Sequence, residues 1–330
     1  MNELTVIIPF LNEGYEVERT LYEVRQTAKN AVDILMVNDG SDDGIDYESI
    51  AKRYNAAYIK NETRTGSGPA KQIGVDACKT PFFLIIDAHM RFYAGNWAQE
   101  IVDAIKTDAR AVYCCRTRAW DYASGIERPS RACYGGFLID YLSDNLRESL
   151  LTVRAIGDIL AKKAFPVDAK IIDVPCMWGA NYAATKEYWN YLRGYEGLKL
   201  YGQEEQYISI KAWMEGGRIR LINDVFIGHL YKKSFTYKEK IVVPEVPYNK
   251  FFVADLLLPP DFKKKVVAQI KKRHRNTYAW VLSELYKNEK QIDDLKAYYK
   301  KILLYPYERF DKINQMVIDK MNELTIKNNV

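Results

Sequence analysis

Short apolar runs alternate with segments of helical periodicity along the first part of the chain. The apolar runs cover residues 4–9, 34–37, 58–60, 82–86 and 111–115. Between them apolar side chains recur three or four positions apart, as in Val17, Leu21 and Val24, which is the spacing of one helix face. This alternation predicts an α/β fold with a mostly parallel sheet and helices on both faces. Because ligands bind beyond the carboxyl ends of strands in such sheets, the loops after Ile8, Val37 and Ile86 are the first candidates for a site.

The remainder of the chain is less regular. Residues 117–175 mix the two patterns, and we interpret them as an insertion that shapes an acceptor site. A strand is predicted over 182–184, a helix over 204–215 and a strand over 219–230. From Pro244 onward the character changes, and residues 261–325 carry helical stripes. We therefore predict an α/β domain over residues 1–240 and a helical C-terminal extension over residues 241–330.

Composition narrows the class of protein. The chain has 330 residues, of which 48% are hydrophobic and 28% charged, and this excludes a disordered, collagenous or coiled-coil chain. Its apolar runs are far shorter than the ~20 residues that a membrane span needs. Residues 1–8 lack the basic start of a signal peptide, and the five cysteines are an odd number, so we predict reduced thiols and a cytoplasmic location.

Two segments carry metal-ligand chemistry. Asp87 and His89 follow the most apolar run, and in an extended segment residues two apart point to the same side. His229 ends the last predicted strand. A carboxylate oxygen and imidazole nitrogens suit a divalent first-row ion such as Mn²⁺. The alternative for Asp87 and His89 is a helix-capping carboxylate beside a packed ring, and for His229 a structural residue.

The loops nearer the amino terminus suggest a nucleotide. Asp39 lies in the acidic turn after the second predicted strand, where it would accept hydrogen bonds from a base or ribose or cap a helix. An EF-hand loop starting at Asp39 is excluded, because its twelfth position is Ile50 instead of glutamate. The stretch from Arg64 to Lys71 resembles a phosphate loop only superficially, since alanine precedes the lysine and glutamine follows it.

Glu204 and Glu205 open the helix predicted over residues 204–215. Two acids in a first helical turn interact favourably with the helix dipole, which is the structural interpretation. The functional interpretation is a general base aimed at an acceptor hydroxyl. Adjacent helical residues diverge by about 100°, so we expect one of the two to face the reaction centre.

Taken together, these segments resemble glycosyltransferases of the GT-A fold. The general pattern is that of family 2, and the details look closest to the polypeptide N-acetylgalactosaminyltransferases of family 27. The segments that carry the resemblance are VIIPFLNEG from Val6, VNDGSDDG from Val37, LIIDAHMRF from Leu84, GYEGLKLYGQEEQYISIKAWMEGG from Gly194 and GHLYKKSFTY from Gly228. They resemble the early Asn-Glu pair, the uridine turn, the D-x-H metal segment, the Trp-Gly-Gly-Glu-Asn motif and the segment of the third metal ligand. The resemblance covers roughly residues 3–240.

The resemblance implies a UDP-sugar donor and Mn²⁺ held by Asp87, His89 and His229. Arg64 and Lys71 are seven residues apart, like two arginines of the family that lie near the nucleotide, with lysine replacing the second arginine. The nucleotide-sugar-binding residues that it implies are Pro9, Phe10, Glu13, Asp39, Arg64, Lys71, Asp87, Lys232 and Tyr237. The implied acceptor is a glycan, a polypeptide or another polymer.

Two departures from the family pattern bear on mechanism. Asn38 replaces the first aspartate of the uridine turn. Glu205 stands where the retaining polypeptide enzymes have asparagine and where inverting family 2 enzymes have an aspartate base. Since a carboxylate there supplies a base, we favour an inverting transferase with Glu205 as the catalytic base and Glu204 orienting the sugar or acceptor. The alternatives are a nucleotidyltransferase on a similar sheet, or a catalytically silent nucleotide-sugar-binding protein.

The C-terminal extension contains a basic segment. Residues 263–275 read KKKVVAQIKKRHR. This run predicts either a solvated helix face whose apolar side packs on the main domain, or a contact with an anionic partner. The aromatic residues nearby would serve helix packing or homo-oligomer contacts.

Overall fold

The computed structural model describes residues 2–121, 124–139, 150–231 and 245–328. The strands are β1 Leu4–Phe10, β2 Asp33–Asn38, β3 Ala57–Lys60, β4 Phe82–Ile86, β5 Met90–Phe92, β6 Ala111–Asp121, β7 Glu127–Ile139, β8 Thr152–Gly157, β9 Ile171–Asp173, β10 Asn181–Thr185 and β11 Arg218–Tyr231. The helices are α1 Glu16–Ala28, α2 Tyr47–Arg53, α3 Ser67–Ala77, α4 Trp97–Thr107, α5 Asp158–Ala164, α6 Lys186–Tyr191, α7 Glu204–Glu215, α8 Glu245–Leu257, α9 Pro260–Arg273, α10 Arg275–Lys287, α11 Glu289–Ile302 and α12 Glu308–Asn328.

One sheet organises the molecule. Its main strand order is β3-β2-β1-β4-β10-β6-β11-β5, while β7 and β8 extend it from β6 and β9 pairs with β11. Successive β1 side chains point to opposite faces, so Ile7 enters one hydrophobic core whereas Val6 and Ile8 enter the other. The core beneath Val6 and Ile8 is closed by α1, α2 and α4, and the core beneath Ile7 by α3, α6, α7 and the C-terminal helices.

The prediction of an α/β architecture with helices on both faces is confirmed, but the sheet has fewer parallel strand pairs than predicted. Six of the ten strand pairs among the described residues are antiparallel. Strands β1 to β4 pair in parallel as predicted. The antiparallel pairing of β6 with β7 follows from the five residues that separate them, because only antiparallel strands can be joined by a short turn.

Several predicted elements match closely. Phe82–Ile86 is a buried strand and Glu204–Glu215 a helix, both with the predicted bounds. The strand expected over 111–115 instead continues to Asp121, because after Cys115 its buried positions alternate with half-exposed arginines, the pattern of a strand with one solvated side. Residues 117–175, for which the sequence predicts only a mixed pattern, contain the last part of β6 and the whole of β7 and β8.

The C-terminal helices complete the core on the side of α7. Phe252 of α8 and Tyr299 of α11 both contact Tyr207 of α7, with ring centroids 5.7 and 6.3 Å away. In α9 Val266 and Ile270 are buried while Lys271 and Lys272 are exposed, so the predicted packing of its apolar side is confirmed. Contact of its basic side with an anionic partner, and homo-oligomer contacts, stay predictions. Among the described residues, no helix is both long enough and apolar enough to cross a bilayer.

A buried lysine ties α7 to the chain before it. Lys211 is fully buried, and its Nζ donates to the carbonyl oxygens of Leu192 and Gly194 at 2.9 and 2.6 Å. The ammonium also lies 3.5 Å from the centroid of the Tyr207 ring. Burial lowers the pKa of Lys211 well below its ordinary value, so the amine carries less charge than a surface lysine.

We expect Lys211→Met to lower the free energy of unfolding by about 1–3 kcal/mol, because two buried carbonyl oxygens lose their donor. Urea denaturation measures this, with Lys264→Met on the exposed face of α9 as the matched control. A Lys211 variant as stable as the control would contradict the assignment.

Candidate functional site

Three ligand side chains converge at the end of the sheet. Asp87 and His89 lie between β4 and β5, and His229 lies near the end of β11. Strand β11 pairs antiparallel with β5 in a register that places His229 opposite Met90, directly beside His89. One ligand atom from each of Asp87, His89 and His229 lies within 4.8 Å of the other two. The convergence predicted from the sequence is therefore present.

The polar contacts of these residues suit a cation. His229 Nε2 lies 3.2 Å from Asp87 Oδ2, and His89 Nδ1 lies 3.0 Å from Glu13 Oε1. Among the described residues, the buried His229 Nδ1 has no hydrogen-bond partner. The two histidine rings stand 4.8 Å apart between centroids, so their nitrogens share one small volume.

The protonation states also fit metal binding. Burial lowers the pKa of His229, and the nearby His89 adds to this effect despite the opposing contact with Asp87, so the ring is neutral and able to ligate at neutral pH. Burial alone would raise the pKa of Asp87, but the hydrogen bond with His229 and the charge of Lys71 outweigh it, and the net pKa is lowered. An ionised carboxylate with two imidazoles is a donor set for a divalent first-row ion, and these residues fit one.

A narrow cavity of about 100 Å³ lies on the amino-terminal side of this cluster. Most of the residues for which we predict a nucleotide role line it, namely Pro9, Phe10, Glu13, Asp39, Arg64, Lys71 and Asp87, and so does the predicted metal ligand His89. They come from the end of β1, from the loops after β1, β2, β3 and β4, and from α3. Strands β1, β2 and β4 are parallel neighbours, so their carboxyl ends bring these loops to one edge.

Asp39 is more engaged with the protein than the sequence suggested. Its Oδ1 accepts from Asn61 Nδ2, the Thr65 amide and Thr65 Oγ1 at 2.7–2.8 Å, and its Oδ2 accepts from the Gly66 amide at 2.7 Å. These bonds use the carboxylate to shape the loop before α3. What remains for a ligand is the unused lone pair of Oδ2.

A larger cavity of about 580 Å³ lies on the other side of the metal cluster. Asp87, His89, His229, Glu204 and Glu205 all line it, as does Lys71. Lys71, Asp87 and His89 line both cavities, so the two cavities adjoin at these residues. A further cavity of about 900 Å³, lined mainly by β6, β7, β8 and α5, shares Tyr231 with the 580 Å³ cavity.

The acid pair has unusual electrostatics. Burial raises the pKa of Glu205 to about 7, and the neighbouring Glu204 carboxylate contributes to the rise. Glu204 is buried, and its Oε1 has no hydrogen-bond partner in the described parts of the chain. Lys71 is also buried, yet the negative charges of Glu204, Asp87 and Glu205 outweigh burial and raise its pKa. Lys71 is therefore a fixed positive charge beside carboxylates.

The loop that leads into α7 is held from two sides. Gly66 forms a backbone bridge with Leu200, and a Cβ on Gly66 would lie 2.1 Å from Leu200 Cα, so no side chain fits there. Asn249 of α8 is fully buried against the other side of the loop. Its Oδ1 accepts from the Lys199 amide at 2.8 Å, and its Nδ2 donates to the carbonyl oxygens of Lys199, Tyr201 and Gly202 at 2.6–3.1 Å.

This clamp bears on the acid pair. Gln203 adopts the left-handed conformation, with φ at 74°, immediately before Glu204, which is a costly geometry for a residue with a side chain. The hydrogen bonds from Asn249 to this loop stabilise the left-handed conformation of Gln203.

Some residues of the site were not predicted from the sequence. Asn249 lies in residues 241–330, which match no motif. Tyr201, Trp178 and Lys250 line the 580 Å³ cavity but were not predicted as site residues. Lys232 and Tyr237 lie outside the described residues.

Comparison with known proteins identifies the fold. Residues 5–161 match the family model described as glycosyl transferase family 2. Polypeptide N-acetylgalactosaminyltransferase 10 of Rattus norvegicus is 26% identical over 246 residues, which cover 71% of this chain and 38% of the relative. Polypeptide N-acetylgalactosaminyltransferase 13 of Homo sapiens is 24% identical over 247 residues, with coverage of 71% and 42%.

A solved structure supports the same likeness. The crystal structure of GalNAc-T7 with UDP, GalNAc and Mn²⁺ superposes with a TM-score of 0.75 at 18% identity, covering 96% of this chain and 57% of that one. The resemblance to GT-A glycosyltransferases, and in particular to GalNAc-transferases, is thereby confirmed, and the chain has the GT-A fold. It spans about two fifths of the length of the curated relatives that it matches.

We expect Asn249→Ala to release the loop before α7, because three carbonyl oxygens and one amide lose their partner. The predicted loss in free energy of unfolding is about 1–3 kcal/mol. Hydrogen–deuterium exchange should become faster at residues 199–203, whereas the exposed control Asn276→Ala should leave exchange there unchanged. Unaltered protection of the Lys199 amide in Asn249→Ala would show that the loop holds its shape without the clamp.

Proposed function

We propose that the protein is a metal-dependent glycosyltransferase that moves a sugar from a UDP-sugar to an acceptor hydroxyl. One observation carries the proposal: the ligand atoms of Asp87, His89 and His229 converge between a cavity lined by nucleotide-type loops and a second cavity lined by an acid pair. The GT-A fold and the similarity to GalNAc-transferases agree with it.

The narrow cavity is the proposed nucleotide side. Pro9, Phe10, Glu13 and Asp39 would border the base and ribose, and Arg64 would lie beside them. Lys71, positively charged and buried between the two cavities, would face the diphosphate. Lys232 and Tyr237 are proposed to contact the diphosphate because they stand at the positions that do so in the family segment that GHLYKKSFTY resembles.

Asp87, His89 and His229 would hold the metal, with Mn²⁺ as the proposed ion. Bound there, a divalent cation supplies positive charge that stabilises the negative charge developing on the diphosphate leaving group. The chain adds the charge of Lys71 to the same region. Similarity to a solved transferase whose crystals contain UDP and Mn²⁺ supports this choice of ion and donor.

Glu205 is the proposed general base, which makes the transfer inverting. A base works best when its pKa lies near the working pH, and burial together with Glu204 brings the pKa of Glu205 to about 7. The carboxylate would take the proton of the acceptor hydroxyl as that oxygen attacks the anomeric carbon. Glu204, one residue earlier and deeper in the protein, would orient the sugar or acceptor.

The acceptor would approach through the cavity of about 900 Å³ that joins the 580 Å³ cavity at Tyr231. Ala119, Phe137, Arg154 and Leu160 line it, and all belong to the segment interpreted from the sequence as an acceptor-shaping insertion. A glycan, a polypeptide and another polymer remain the acceptor classes to screen. A cytoplasmic location is proposed, supported by five cysteines that are all free and buried.

Loss of either histidine ligand should abolish metal-dependent chemistry. We expect His89→Ala and His229→Ala each to reduce Mn²⁺-dependent hydrolysis of UDP-sugars by at least about 100-fold. Replacing a residue that only hydrogen-bonds a metal ligand already lowers metal affinity or activity by about 10–100-fold. Titration calorimetry should show weaker Mn²⁺ binding in both. The third histidine, His274, is exposed, and His274→Ala is the control that should bind and react as the wild type does. Wild-type Mn²⁺ affinity in either ligand variant would refute the site.

Replacing the base should leave binding but remove turnover. Glu205→Gln keeps the shape, so we expect kcat for donor hydrolysis to fall by about 10²-fold or more with little change in donor KM. In the wild type, kcat should fall as pH drops below about 7, because Glu205 then becomes protonated. The exposed Glu187→Gln is the matched control. Near-wild-type turnover in Glu205→Gln, or retention of the anomeric configuration by NMR, would favour a retaining mechanism instead.

A further inference from the structure

The side chain of Glu205 rests on a glycine. A Cβ added to Gly179 would lie 2.3 Å from Glu205 Oε1, 3.0 Å from its Cδ and 3.4 Å from its Cγ. Distances below 3.0 Å are not tolerated by real Cβ atoms, so any side chain at position 179 would displace the carboxylate. Gly179 and Glu205 also line the same 580 Å³ cavity.

The backbone conformation does not by itself require glycine at this position. Gly179 has no φ in the left-handed region that favours glycine, whereas Gly66 and Gly202 in the same site do. What glycine contributes at position 179 is therefore empty space, which the Glu205 carboxylate fills.

The segment containing Gly179 is anchored to the metal ligands. The next residue, Ala180, accepts at its carbonyl oxygen the Asp87 amide at 3.0 Å. Asn181 then begins β10 and is paired with Ile86, the residue before Asp87. The position of the Gly179 Cα relative to Asp87 is thus set by the sheet, and the Glu205 carboxylate is in turn set against that Cα.

We propose that Gly179 is a positioning residue for Glu205: the missing side chain allows a glutamate, one methylene longer than an aspartate, to place its carboxylate at a defined point relative to the metal ligands. The proposal rests on the proposed function, in which Glu205 is the base. It predicts that positions 179 and 205 are coupled in size, so that a larger residue at 179 demands a shorter acid at 205.

Gly179→Ala tests the positioning role. The clashing atom is the end of a flexible side chain, so the fold should survive while the carboxylate moves. We expect kcat to fall by about 10²-fold, the scale for a displacement near 1 Å, with donor KM and Mn²⁺ affinity unchanged. Asn276→Ala is the control, because Asn276 is exposed and lies outside the residues that line the three cavities.

The double variant Gly179→Ala/Glu205→Asp tests the coupling in size. Shortening the acid removes the clash, so the double variant should be more active than the product of the two single effects predicts. Additive losses, or a Gly179→Ala enzyme with wild-type kcat alongside an inactive Glu205→Gln, would overturn the proposal.

A readout without catalysis separates this inference from the proposed function. Carbon-detected NMR titration of the Glu205 carboxyl should show its pKa falling in Gly179→Ala, because the displaced carboxylate leaves its buried position against Gly179 for the open space of the 580 Å³ cavity. An unchanged pKa overturns the positioning role. A lowered pKa with full activity in both Gly179→Ala and Glu205→Gln supports the contact and overturns the role of Glu205 as base.

Discussion

The pairing of β5 with β11 is the constraint on which the site depends. Strand β5 is three residues long, and its antiparallel register sets His229 opposite Met90 and so beside His89. A slip of one residue would turn His229 to the other face of the sheet, because side chains alternate along a strand. Asp87 is held at the same point because its backbone N–H donates a hydrogen bond to the carbonyl oxygen of Ala180. The ligand cluster is thus a product of backbone hydrogen bonds rather than of flexible side chains.

Charge balance explains the chemistry available around this cluster. Asp87, Glu204 and Glu205 line one cavity together with two buried lysines, Lys71 and Lys250. The lysine charges do not offset burial and the repulsion from Glu204, so the pKa of Glu205 rises to about 7 while Asp87, bonded to His229, stays ionised. A cation among Asp87, His89 and His229 would restore the balance and, with Lys71, attract a diphosphate. Neighbouring acids are in this way separated into a ligand and a base.

The C-terminal helices are part of the site as well as of the core. Through Asn249 they hold the loop that precedes Glu204, and Val246 and Lys250 of α8 line the 580 Å³ cavity. Burial together with the charge of Arg273 lowers the pKa of Lys250 to about 8. The geometry of the acid pair therefore depends on residues far along the chain, beyond the sequence motifs that carry the family resemblance.

The sequence alone determined the α/β alternation, the bounds of β4 and α7, and the chemical identity of the ligands Asp87, His89 and His229, because hydrophobic period and residue type are local properties. The family resemblance also assigned Asp39 and Arg64 to one nucleotide site, and both line the narrow cavity. Only the tertiary structure decided that six of the ten strand pairs among the described residues are antiparallel, that the Asp39 carboxylate is largely used by Thr65 and Gly66, and that Gly179 and Asn249 shape the surroundings of Glu205. The contacts of Asp39 with Thr65 and of Asn249 with Lys199 join residues 26 and 50 positions apart, whose partners no local pattern encodes.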